Sequence, residues 1–198
     1  MQGRERIAMQ VLPSENTAVS IADLRAAING TVIAPGDAEY DGSRTVFYGG
    51  FDAHPAVIVR AADASDVSHV VSLARETGVE LAIRSGGHSG AGHGTTDGGI
   101  LLDLGDMKAL EIDVDERIAW VEPGLTAAEF TQAAAAHGLG VGFGDAGSVG
   151  IGGITLGGGL GFLARKHGLT IDSLLAADVV TADGRLRRVD AQTDPNLF

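Results

Sequence analysis

The chain of 198 residues contains no cysteine, which excludes disulfides, thiolate metal ligands and a cysteine nucleophile and leaves the redox compartment open. It is short of positive charge. The 14 Lys and Arg stand against 26 Asp and Glu, a net charge of −12, and no stretch gathers cations into a patch able to follow a phosphate backbone. Nucleic acid is therefore not an expected partner. No apolar run approaches the ~20 residues of a membrane span. The opening segment, Met1 to Val19, scatters charges where a secretory leader needs an uninterrupted apolar stretch. These absences describe a cytoplasmic protein with a small-molecule partner and no membrane partner.

Glycine, by contrast, is abundant. The 30 glycines are about twice the usual share of ~7%. They concentrate in two stretches, Gly86 to Gly99 and Gly138 to Gly161, so unusual backbone is needed in two places.

Between them the pattern alternates. Ser20 to Gly30 reads as a short helix with a capping serine and a closing Asn-Gly. Ala34 to Pro55 reads as irregular. Ala56 to Arg60 and Leu81 to Arg84 are apolar strands flanking a helix from Ala64 to a terminating Gly78, a βαβ unit with two parallel buried strands. Ile100 to Leu104 is a third strand. Ala109 to Val114 and Arg117 to Glu122 form one hairpin, and Leu174 to Thr181 and Arg185 to Asp190 another around Asp183-Gly184. Thr126 to Gly138 is an alanine-rich helix. The expected fold class is α+β. Its divisions are an N-terminal helix and irregular arm over 1–54, a first lobe over 55–108 and a second over 109–198, with the boundary near Gly105 to Glu111.

The stretch RSGGHSGAGHG, Arg84 to Gly94, leaves the carboxyl end of a parallel strand, where ligands bind in open α/β sheets. Its two histidines are candidates for chemistry. The second stretch fails the phosphate-loop pattern because no Gly-Lys-Ser/Thr follows, and it fits the dinucleotide G-x-G-x-x-G pattern only with strain. What survives is general: two loops rich in backbone N–H groups bind an anion without cationic side chains. His93 reads as a solvated loop histidine, with no acidic residue placed to complete a metal site. Arg84 reads equally as a cofactor contact or an ion-paired strand end, and His167 as a helix C-terminal cation.

Five ordered stretches, Arg84 to Ser89, Asp97 to Leu104, Val149 to Gly159, Arg165 to Asp172 and Asp178 to Gly184, resemble the FAD-binding domain of the vanillyl-alcohol oxidase and p-cresol methylhydroxylase (PCMH-type) superfamily, berberine-bridge-enzyme-like branch. The resemblance runs from about Pro55 to the end. It implies a two-lobed PCMH-type fold, a small βαβ lobe beside a mainly antiparallel sheet lobe with helices. It further implies that Arg84, Ser85, Gly86, Gly87, Ser89, Ala146, Gly150, Gly153, Ile154, Gly157, Gly158 and Val180 surround FAD, and that His88 carries the flavin through its 8α-methyl carbon. A neutral imidazole nitrogen is a competent nucleophile for such a bond.

Departures from the family pattern limit what can be carried over. The family's second, cysteinyl attachment falls on Ala146, so only the histidyl bond is expected. A histidine and a tyrosine found in some members are replaced by Ile154 and Gly90, and no catalytic role passes to those positions. Thr193 to Phe198 reads as a helix start, with Asp194 as cap and Pro195 in the first turn. The family continues there into a substrate domain that holds the catalytic base, which leaves no catalytic residue assigned in this chain. The implied activity is hydride transfer from an alcohol or amine to FAD, with dioxygen as acceptor. A flavin-binding remnant without turnover, and a glycine-rich protein for some other anion, remain as alternatives.

Overall fold

A computed structural model describes residues 19–198; the reading of residues 1–18 as free of a leader lies outside them. The chain opens with α1 (Ile21–Ala27), capped by the Ser20 hydroxyl, which accepts from the Asp23 N–H at 3.2 Å. The expected Asn-Gly stop works differently from a left-handed cap. Ile28 is already extended, and the N–H groups of Asn29 and Gly30 donate to the buried Asp66 carboxylate at 2.8 and 2.9 Å. Gly30 is required by close approach: a Cβ there would sit 2.0 Å from the Arg60 carbonyl oxygen.

The first sheet contains β1 (Thr31–Ile33), β2 (Val57–Arg60), β3 (Leu81–Arg84) and β4 (Ile100–Asp103) in the order β1-β2-β4-β3. β1 runs antiparallel to β2, and the other pairings are parallel. The two strands of the expected βαβ unit are thus parallel but not neighbours, because β4 lies between them. Burial explains the order. All four residues of β4 are buried, whereas β3 leaves Ile83 51% exposed and takes the edge.

The supposedly irregular segment contains one short helix, α2 (Tyr40–Arg44), pinned where the Tyr40 hydroxyl donates to the Pro55 carbonyl at 2.7 Å. The following α3 (Ala64–Thr77) is capped by Asp63, which accepts from the N–H groups of Ser65 and Asp66, and ends at Gly78 with φ 70°. Val70 and Ala74 of α3 pack on Val57, Val59, Ile100 and Leu102. Alternation along the strands sends Ile58, Ala82 and Leu101 to the other face, against Ile33 and Tyr40.

Next come the hairpin of β5 (Leu110–Asp113) and β6 (Ile118–Val121) and the helix α4 (Ala127–Ala135). A reciprocal capping box between Thr126 and Glu129 starts α4. Phe130 and Ala134 of α4 pack with Leu125, Phe143 and Ile151 in a separate core. The second glycine stretch is not all loop. It contains α5 (Ile151–Leu156), and α6 (Ala164–His167) follows, with His167 at its end. Burial of Ile151 and the bond from the Thr155 hydroxyl to the Ile151 carbonyl at 2.7 Å offset the glycines' poor helix propensity.

The chain closes with the hairpin of β7 (Ala176–Val180) and β8 (Leu186–Asp190), turning at Gly184 with φ 76°. Its turn rests on α3, where the Arg75 guanidinium donates to the Asp183 carbonyl at 3.0 Å. Arg188 stacks over Trp120 of β6 at 3.9 Å. This hairpin therefore touches both halves of the chain. The expected helix start at Asp194 is a single turn. Asp194 adopts φ 53°, and its carboxylate pairs with Arg187 at 3.2 Å instead of capping. Among the described residues no helix is long and apolar enough to cross a membrane. Leu156, Leu160 and Phe162 stand out of the surface, Phe162 at 89% exposure.

Candidate cofactor site

β3 ends at Arg84, whose buried guanidinium binds the Asp103 carboxylate at 2.7 Å and the carbonyls of Thr45 and Ser43 at 3.1 and 2.5 Å. Arg84 is an ion-paired strand end that straps the arm after α2 against the sheet. Arg44 strengthens the strap through Asp41 at 2.9 Å and through Asp52. The arm then places Phe47, whose N–H donates to the Gly87 carbonyl at 3.1 Å.

From Ser85 the chain crosses to the second core. The Ser85 hydroxyl donates to the Pro123 carbonyl at 2.6 Å. A Cβ on Gly86 would lie 2.2 Å from the Gly150 nitrogen, and one on Gly150 would lie 2.1 Å from the Ser85 Oγ. The two glycine stretches therefore meet backbone to backbone. Gly87 turns with φ 70°, which no β-carbon favours. The N–H groups of Gly86, Gly87, His88 and Ser89 find no acceptor among the described residues, nor do those of Gly152 and Gly153. Unpaired donors converging on one junction are the requirement for holding an anion.

His88 is half-buried beside this junction. Its Nε2 lies 3.0 Å from the Ser148 Oγ, and its ring stacks on Phe47 with centroids 4.0 Å apart and an interplanar angle of 18°. Tyr48 meets Phe47 edge-on at 5.1 Å. Neither Ser148 nor Phe47 is among the residues that the sequence marks as candidate contacts. The available signals were an exposed Phe-Tyr pair in the arm and a hydroxyl two residues after Ala146.

The remaining candidates divide. Gly153 faces open space, as a ligand-facing glycine would. Gly157 and Gly158 lead into a stretch that is tight for internal reasons: a Cβ on Gly159 would meet the Thr170 Oγ at 2.0 Å. Ile154 packs on the second core. Ala146 lines a cleft of about 320 Å³ between the start of α4 and Phe162-Leu163. Ser89 closes a turn, accepting the Gly92 N–H at 3.2 Å. Val180 pairs with Leu186 in the last hairpin, outside the glycine junction. His93 is exposed, and the described residues contain no group of three or more metal-ligating side chains. A hollow of about 400 Å³ lined by Thr181, Asp183, Arg187 and Asp194 shares no residue with the junction.

Known proteins resemble this chain in sequence and in fold. The FAD binding domain family matches residues 55–190. The (R)-6-hydroxynicotine oxidase of Paenarthrobacter nicotinovorans is 37% identical over 172 residues, 87% of this chain and 38% of that protein. Berberine bridge enzyme-like 18 of Arabidopsis thaliana is 38% identical over 136 residues, 67% of this chain and 26% of that protein. The solved structure of glucooligosaccharide oxidase from Acremonium strictum, described with a 6-S-cysteinyl, 8α-N1-histidyl FAD, superimposes with a TM-score of 0.85 at 31% identity, covering 91% of this chain and 38% of that one. The chain thus spans well under half the length of these relatives. From the meeting of its glycine stretches to these matches, it belongs to the FAD-binding domain family, in the α+β PCMH-type fold of its oxidase and berberine-bridge-like relatives.

Proposed function

We propose that this chain is the flavin-holding part of an oxidoreductase and that its FAD is bonded once, through His88. One observation carries the reading: a stacked and hydrogen-bonded imidazole stands beside a junction of unpaired backbone N–H groups. The N–H groups of Gly86, Gly87, Gly152 and Gly153 are suited to a pyrophosphate in a chain with too few cations to neutralise one. His88 is suited to the 8α carbon. Ala146 has no nucleophile, and the chain has no cysteine, so a second bond of the kind named for the glucooligosaccharide oxidase has no donor here.

The bound flavin supplies the hydride acceptor, and dioxygen is the proposed final acceptor. This chain's residues bind and orient the cofactor. The proposed donor is an alcohol or amine carbon; the chain spans 38% of the length of these oxidase relatives, and no catalytic base is assigned among its residues. A flavin-binding unit without turnover is the second reading.

The test is the mass of the denatured protein, wild type beside His88→Ala, after expression with ample riboflavin. An FAD increment in the wild type alone is expected. A colourless wild type would overturn FAD binding, and an increment that persists in His88→Ala would overturn the attachment site. Bleaching of the flavin absorbance by a substrate panel separates turnover from mere binding.

A further inference from the structure

Resting on the reading of His88 as the flavin-bearing residue, we infer that Ser148 is a positioning residue for the attachment step: it fixes which imidazole nitrogen is free to bond, while Phe47 fixes the plane of the ring. The two contacts are independent. Phe47 stacks flat on the imidazole at 4.0 Å and is itself held by its N–H bond to the Gly87 carbonyl. Ser148 reaches Nε2 at 3.0 Å from the opposite loop. Among the described residues, Nδ1 has no partner.

A neutral imidazole carries one N–H and one lone pair. The Ser148 hydroxyl can donate or accept, so in either tautomer its contact occupies Nε2; in the tautomer whose Nε2–H donates to the Ser148 Oγ, the lone pair is on Nδ1, which becomes the bonding atom. The step balances as follows. The Nδ1–C8α bond forms and one C8α–H bond breaks. The released electron pair and two protons, one from the methyl group and one from the imidazole, end on the flavin as its two-electron reduced form. Dioxygen then takes both electrons and both protons and leaves as hydrogen peroxide. Ser148 is exposed and accepts the Nε2 hydrogen bond until the ring releases that proton, by way of water, to the flavin; its own hydroxyl then donates to the Nε2 lone pair.

A purely structural serine would affect total FAD retention or stability. A positioning serine changes the covalent share of the FAD that is bound. The full chain is therefore produced as wild type, Ser148→Ala, Ser148→Thr and Phe47→Leu under identical riboflavin supply. Total flavin is read by absorbance, and covalent flavin by denatured mass and by fluorescence of the acid-precipitated protein. Ser148→Ala is expected to keep its total FAD while its covalent fraction falls several-fold. Ser148→Thr, which retains a hydroxyl, is expected to restore most of that fraction, and Phe47→Leu to lower it. An undiminished covalent fraction in Ser148→Ala, or an equal loss of total and covalent FAD, overturns the role of Ser148 and leaves the attachment standing. A wild type that binds FAD with no covalent increment overturns the attachment and this inference together.

Discussion

Gly86 and Gly150 approach so closely that neither has room for a methyl group: a Cβ on Gly86 would lie 2.2 Å from the Gly150 nitrogen. Because the obstacle is backbone, it cannot rotate away, and Gly86→Ala or Gly150→Ala must push the two loops apart. Each is expected to cost about 1–3 kcal/mol and to release FAD. Gly153→Ala is the contrast. Gly153 sits inside α5 with open space before it, so alanine there should stabilise the fold by up to about 1 kcal/mol while obstructing the cofactor. Urea midpoints and retained flavin, measured on all three, check this divergence.

Arg84 and Asp103 form a buried pair. Arg84→Met strands a buried carboxylate and is expected to cost about 3–5 kcal/mol. It also unstraps Ser43 to Phe47. Limited proteolysis should then cut in the arm of the mutant before it cuts elsewhere, whereas the wild-type arm resists.

Asp66 accepts from the N–H groups of Asn29, Gly30 and Ala62 at 2.8–2.9 Å while fully buried. Asp66→Ala leaves three donors unpaired at 1–3 kcal/mol each, so a loss of about 3 kcal/mol or more is expected. Asp63→Ala, which removes the helix cap and the bond from the Asn29 amide at 3.0 Å at a more accessible site, is expected to lose less. Chemical denaturation of the two variants side by side checks the ranking.

Acid should weaken the protein through two caps. Lys108 at 2.6 Å and then the Thr126 N–H hold the Glu129 carboxyl down to about 2 from an ordinary 4.5. The Ser65 hydroxyl, the Asp66 N–H and Asn29 hold Asp63 down to about 2 from 3.8. A carboxyl with a lower pKa in the folded than in the unfolded state stabilises above the unfolded value and loses that stabilisation as pH falls through the folded one. Both contributions should be whole above about pH 5 and fade towards about pH 2. Glu129→Gln should be less stable than wild type at neutral pH and should converge with it in acid, as read from urea midpoints against pH. Exposure of Glu129 keeps the effect modest.

Local signals in the sequence were strong where one segment decides its own conformation. The periodicity of α3 with its Gly78 stop, both hairpins and the two glycine concentrations were all legible. Strand order was not, because β2, β3 and β4 are all short apolar runs and only their relative burial distinguishes centre from edge. α2 carries a glycine and a serine in five residues, and α5 two glycines in six, so propensity argued against helices that tertiary contacts impose. The motif around His88 was readable from sequence. Its neighbours Phe47 and Ser148 come from 41 and 60 positions away in the chain, and no local pattern announces them.

The insertion of β4 between β2 and β3 has a consequence for synthesis. A nascent chain that has emerged only as far as Arg84 holds both flanking strands but not the one that joins them, since β2 and β3 share no hydrogen bonds. The sheet closes only when Ile100–Asp103 arrives, and by then the whole glycine-rich span from Ser85 to Gly99 has been drawn out as the connection. The shape of that loop is thus settled after the strands it links, once Pro123, Ser148 and Gly150 arrive to hold it. Ribosome-bound chains stalled before residue 100 should lack the protease-resistant sheet that chains extended past it acquire.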